Sequence, residues 1–145
     1  METQAAKNKT VITNFLDATW KKRDLDLALT YVAEDVSYYG ARNEFHGKDK
    51  YADMIKGYLS VFKDVTITFE DWMFEHNKVF FRASFTGLHY GEFEGIPPTN
   101  KKVTFNFFNE LEIEDGKIKG DWDIVDELGL MQQFGLELVQ KEHAH

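Results

Sequence analysis

The stretch KIKGDWDIVDELGLMQQFG, residues 117–135, decides how the chain is read. Its first part alternates as a strand does, with Ile118, Gly120, Trp122, Ile124 and Asp126 on one face and Lys119, Asp121 and Asp123 on the other. The charged face is therefore expected to be the wet one. Asp126 then shares the apolar face with Trp122 and Ile124, where a carboxyl needs a partner, a shifted pKa or a cavity rim. The glycine-punctuated run after it reads as a short helix, so Asp126 is the leading functional candidate, with a helix cap as the alternative reading.

Upstream, the Glu114-Asp115-Gly116-Lys117 turn is a strong hairpin signal leading into this strand. The preceding VTFNFFNELEI alternates Val103, Phe105, Phe107, Asn109, Leu111 and Ile113 on an inner face. VFFRASFTGLH does the same with Val79, Phe81, Ala83, Phe85, Gly87 and His89. In VTITFEDWMFE the parity changes between Phe69 and Trp72, which predicts a bulge near Glu70 and Asp71. These strands, following one another with tight turns, read as an antiparallel meander.

The first 62 residues carry helical periodicity. An amphipathic helix is expected over 3–22, a shorter one from Leu25, and a third over about 48–62 with Tyr51, Met54, Ile55, Tyr58, Leu59 and Phe62 inward. Short extended pieces lie around Val36–Tyr39 and in NEFHG. The expected architecture is α+β: a cone of N-terminal helices on a strongly bent, mostly antiparallel sheet with a short C-terminal helix, all in one domain over residues 1–145.

Composition narrows the function. The net charge is -8 over 145 residues, with no Lys/Arg cluster, which argues against nucleic-acid binding. The chain has no cysteine, so thiolate chemistry and cysteine metal sites are excluded. Neither a signal-peptide core nor a membrane-length apolar run is visible, and a cytoplasmic location is the expectation. Histidines at 46, 76, 89, 143 and 145 lack metal-ligand spacing, and His143 and His145 read as the chain's end. A nucleophile elbow is absent. Arg23, Arg42 and Arg82 read as helical, loop and outward, which disfavours an Arg-centred epoxide-opening site.

Two stretches carry a resemblance: HYGEFEGIPPTNKKVTF (89–105) and EDGKIKGDWDIVDELGLMQQFG (114–135). Together they resemble the SnoaL-like polyketide cyclase family of the nuclear transport factor 2-like superfamily. That family typically shows His-x-Gly-x-Phe-x-Gly-x-Pro-Pro-Thr, then Asp-Gly-Lys-Ile, Trp-x-x-x-Asp and Gln-x-x-Gly. The resemblance implies intramolecular aldol closure of a polyketide ester without metal or organic cofactor, with Asp126 as acid/base. It also implies a homodimer. Where the family often has Glu-His before the Trp, this chain has Gly120-Asp121, so no histidine role carries over.

The expected site is thus Asp126 with His89 as catalytic groups. Asn109, Tyr38 and His46 are candidate donors to a carbonyl or enolate oxygen, and Trp122, Trp20, Phe85 and Phe107 are candidate walls. His89 reads equally as a loop anchor, and Asn109 as a satisfied buried amide. The expected ligand is a small apolar or aromatic carbonyl compound, and isomerase or dehydratase chemistry on a cyclic ketone would use the same carboxyl. The rival reading is a noncatalytic apolar-ligand or dimerisation domain. Phe80, Leu88 and Phe108 on the outer sheet face point to a dimer through the sheets.

Overall fold

A computed structural model describes residues 1–142. His143 and His145 lie outside the described residues. Helix α1 (Gln4–Leu16) is capped by the Thr3 hydroxyl and runs on into a π-helical turn, Asp17–Lys21. Asp24 then caps α2 (Leu25–Leu29) through Leu27 N–H. Strands β1 (Val32–Tyr39) and β2 (Glu44–His46) precede α3 (Lys48–Val61), and the long strands β3 (Phe62–Glu75), β4 (Lys78–His89), β5 (Lys102–Glu114) and β6 (Lys117–Val125) follow. The described chain closes with α4 (Glu127–Gln133).

The six strands form one open sheet in the order β2-β1-β6-β5-β4-β3. As expected, β3 to β6 are an antiparallel meander, and the β5–β6 hairpin turns at Asp115 and Gly116, both with positive φ (51° and 73°). That pair of left-handed residues matches the twist of the strands it joins. The sheet is made mixed by β1, which lies parallel to β6 and antiparallel to β2. The helices cover one face. Ile12 and Phe15 of α1 and Tyr51 and Ile55 of α3 pack with Val36, Phe81, Leu111 and Ile118 of the sheet.

Bulges determine which side chains enter. The β3–β4 register shifts between Phe69 and Asp71, so Ile67, Phe69, Trp72 and Phe74 all pack against the main core, as the sequence pattern predicts. A second shift lies in β6, where Ile118 pairs with Ile113 but Gly120 with Glu112. Lys119 is the extra residue, and beyond it the strand's parity is inverted. Ile118 points to the core, while Asp121, Asp123 and Val125 take the inner face after it. Trp122 and Ile124 go to the outer face. The Trp122 ring stacks on Tyr39 at 4.8 Å and covers Gly120, where a Cβ would fall 2.7 Å from the ring. The sequence expectation for this strand is therefore corrected: beyond the bulge, the wet set and the buried set change places.

Candidate functional site

Between the helical layer and the inner sheet face lies a cavity of about 450 Å³. That volume is in the range that encloses a small organic ligand. Its walls are aromatic and aliphatic: Trp20 from the π-helical turn, Phe62, Phe85, Phe105 and Phe107 from the sheet, and Leu130 from α4. Trp20 meets Phe85 edge-on at 5.1 Å, and Phe85 stacks on Phe105 at 4.7 Å. This packing fixes the wall without filling the space.

The polar groups converge on β6. Asp121, 6% exposed, accepts 2.6 Å from the Tyr51 hydroxyl and 2.8 Å from the Asn109 amide, which also donates to the Trp122 carbonyl. Two residues further, Asp123 accepts from the Tyr38 hydroxyl with both oxygens, at 3.0 and 2.9 Å. Burial raises the Asp121 carboxyl above the usual range, against the pull of its two donors. Asp123 is pushed up to about 7, first by desolvation, then by the neighbouring Asp121 charge, with Tyr38 opposing. A carboxyl of that kind exchanges its proton near neutral pH. Tyr51 and Tyr38 are both raised, first by burial and then by the carboxylates beside them, so they remain donors.

At the mouth, Arg42 from the β1–β2 loop reaches Glu94 of the β4–β5 loop at 3.2 Å and Glu127 of α4 at 3.3 Å. These carboxylates raise the Arg42 guanidinium further. Among the described residues, no cluster of three or more His, Asp or Glu has the arrangement of a metal site. Among the described residues no helix is long and apolar enough to cross a membrane.

The sequence candidates separate into two groups. Tyr38, Asn109, Trp20, Phe85 and Phe107 line the cavity. Asp126, His89, His46 and Trp122 do not. Asp126 is exposed and caps α4, its Oδ1 accepting from Gly129 N–H at 3.0 Å. A side chain at position 129 would have to displace the capping Asp126 carboxylate, which occupies the space of its Cβ. His89 is buried behind Phe134, with ring centres 4.1 Å apart, and its Nδ1 accepts from Thr99 N–H at 3.1 Å. It anchors the loop 90–101, and desolvation lowers its pKa. His46 is exposed and pairs with Ser37 and Glu44. Trp122 lies on the outer face because of the Lys119 bulge, next to Lys78. Asp121, Asp123, Tyr51 and Tyr58 are cavity residues not selected as site candidates from the sequence. Tyr51 and Tyr58 had a signal, the inward face of α3.

A family model for SnoaL-like polyketide cyclase matches residues 10–134. The chain belongs to the SnoaL-like polyketide cyclase family. Solved members of similar shape include AclR from Streptomyces galilaeus, described as a candidate hydroxylase. It is 28% identical with a TM-score of 0.82, covering 95% of this chain and 87% of that one. TsrD from Streptomyces laurentii is 25% identical, with a TM-score of 0.80 and coverage of 92% and 98%. IdmH from Streptomyces antibioticus, described as a candidate polyketide cyclase, is 23% identical with a TM-score of 0.74, covers 89% of this chain and 99% of that one, and supports the shared fold. No curated protein matches the chain. The SnoaL-like fold is hence established, and the family's Trp-x-x-x-Asp run falls on Trp122 and Asp126, outside and beside the cavity.

Proposed function

We propose that the chain is a cyclase or isomerase acting on a small to medium apolar carbonyl compound, with Asp123 as acid/base and Asp121 as the charge that tunes it. The observation that carries this reading is the Asp123 carboxyl, held by Tyr38 and two residues from the buried Asp121 in an aromatic cavity, where desolvation and that neighbour push it up to about 7. In an aldol closure, the Asp123 carboxylate removes a proton from carbon beside one carbonyl. The enolate carbon then attacks a second carbonyl, the C–C bond forms, and the resulting alkoxide takes the proton from Asp123. Atoms and charge balance within the substrate and one carboxyl, and no redox partner is consumed. In an isomerisation the same carboxyl would return the proton to a different carbon.

Asp123 replaces Asp126 in this proposal because Asp126 is committed to the helix cap and exposed. The test is a turnover screen on aromatic polyketide esters and cyclic ketones with wild type, Asp123→Asn and Asp126→Asn. Loss of turnover by at least about a hundredfold in Asp123→Asn alone supports it, that being the ordinary size of an acid/base contribution. Full activity in Asp123→Asn overturns it, as does selective loss in Asp126→Asn.

We also propose a homodimer through the outer sheet face. Met73, Phe80, Phe108 and Ile124 are exposed there in adjacent cross-strand rows. Asp71 and Arg82 sit opposite each other in the same rows, beside Glu110, so the patch carries both signs of charge. Such a face packs on a second copy of itself with opposite charges meeting. Sedimentation at micromolar concentration showing only monomer overturns this.

A further inference from the structure

The cavity has an axis. Tyr51 and Asp121 form one polar end, Tyr38 and Asp123 the middle, and Arg42, Glu94 and Glu127 the mouth. Along it nearly every polar group is already spoken for. Tyr51 and Asn109 spend their donors on Asp121, Tyr38 spends its proton on Asp123, and Arg42 is divided between two glutamates.

Tyr58 is the exception in the interior; Asn43, whose side chain is likewise free of hydrogen bonds among the described residues, lines the cavity only from the exposed β1–β2 loop. It lies on the same face of α3 as Tyr51, seven residues on, so it stands about 10 Å further along the helix axis. It lines the cavity, and its hydroxyl is close enough to Asp123, Asp121 and Glu127 for all three to influence it. Among the described residues no carboxylate or carbonyl accepts its proton in good geometry; its one hydrogen-bonding neighbour is the Tyr38 hydroxyl, which lowers the Tyr58 pKa and is itself held by Asp123. Its oxygen is not sealed in: the one buried side-chain polar atom without a partner among the described residues is Nε2 of His89. Burial and the surrounding carboxylates push the phenol up to about 12, so the proton stays on it at any working pH.

We infer that Tyr58 is the hydrogen-bond donor to the ligand's carbonyl oxygen, the one proton in the middle of the cavity left uncommitted by the fold. This rests on the reading of the cavity as a carbonyl site. A carbonyl oxygen directed at Tyr58 brings the carbon next to it within the neighbourhood of Asp123, on the same stretch of the axis. As the carbonyl becomes an enolate its oxygen gains charge, and a donor already in position is worth more to that state than to the ketone. The negative lining of the cavity offers that oxygen few other donors.

The test uses binding rather than turnover, so that it is separable from the acid/base proposal. Two probes of matched shape are 2-acetylnaphthalene and 2-ethylnaphthalene, which differ by one carbonyl. Wild type should bind the ketone better than expected from the hydrocarbon, and Tyr58→Phe should weaken the ketone roughly three- to tenfold while leaving the hydrocarbon within about twofold, as for one neutral hydrogen bond. The carbonyl stretching frequency of the bound ketone should lie lower in wild type than in Tyr58→Phe. Tyr38→Phe serves as the contrast and should shift that frequency less. Equal loss for both probes, no loss for either, or an unchanged carbonyl frequency overturns the inference. Correct probe behaviour with no turnover of any carbonyl substrate would sink the acid/base proposal and leave Tyr58 as a binding group.

Discussion

The Tyr51 hydroxyl donates a 2.6 Å hydrogen bond to Asp121, joining the first turn of α3 to the inner face of β6. Both groups are buried, and among the described residues Asn109 is the only other side chain hydrogen-bonded to that carboxylate. Tyr51→Phe keeps the ring packing and removes the donor. It should cost about 1–3 kcal/mol, the penalty of leaving a buried polar group short of a partner. Urea unfolding at pH 8 would measure it. The loss should shrink toward pH 4, where a neutral Asp121 depends less on its donors.

Asp123 should make stability fall as pH rises. Its folded pKa, about 7, lies above the ordinary carboxyl value of 3.8, so between those values the folded state holds more proton than the unfolded one. Stability then declines with pH across that window and levels off above it. Asp123→Asn should flatten the profile and raise stability at pH 8, since the amide oxygen still accepts from Tyr38. Denaturant midpoints from pH 4 to 9 check the sign. The kcat/KM of wild type should climb through pH 7 as the base form of Asp123 appears.

His89 acts in the opposite sense. Its pKa is lowered by burial, so the unfolded state binds more proton below about 6.5. Stability held by neutral His89 is present above that pH and lost as acid is added. His89→Phe should remove this acid sensitivity and also release loop 90–101, read as faster amide exchange at Thr99, whose N–H the ring accepts.

Replacing Asp126 by Ala removes the cap of α4 and should cost about 1 kcal/mol. Its kcat should remain within about threefold of wild type wherever the variant is folded. Thermal melts and initial rates on the same preparation check the pair of outcomes.

On the outer face, Phe108→Lys should convert a dimer to monomer without moving ligand affinity more than about twofold, because the side chain points away from the cavity. Light scattering with probe titration measures both.

Much of this architecture is legible before any coordinates. The Asp115-Gly116 turn, the inner sets of β4 and β5, and the bulge after Phe69 all leave local marks, because aromatic residues change parity where the backbone does. The parallel pairing of β1 with β6 leaves none, being a contact between distant segments. The bulge at Lys119 is hidden for a more specific reason. Gly120 has no side chain to betray its face, and the outer set, Trp122 and Ile124, is itself apolar because it belongs to a surface patch. Hydrophobicity thus points to the wrong side, and with it Asp121 and Asp123 read as solvated. The inward face of Asn109 is legible because the β4–β5 ladder runs without a shift through it, whereas Tyr38 lines the cavity just past a register shift between Val32 and Ser37 that leaves no mark in the sequence.

One inserted backbone position therefore acts as a switch of address. Were Lys119 paired in the ladder opposite Glu112 instead of bulged, β6 downstream would present Trp122 and Ile124 to the cavity and both carboxyls to water, with the same residues still in the chain. Deleting Lys119 outright would leave Gly120 opposite Glu112 and both carboxyls facing in, so the conformation of the bulge, not the length of the strand, sets which face they take. Aligned columns in this strand are consequently a poor guide to which side chain faces a ligand unless the bulge is located with them.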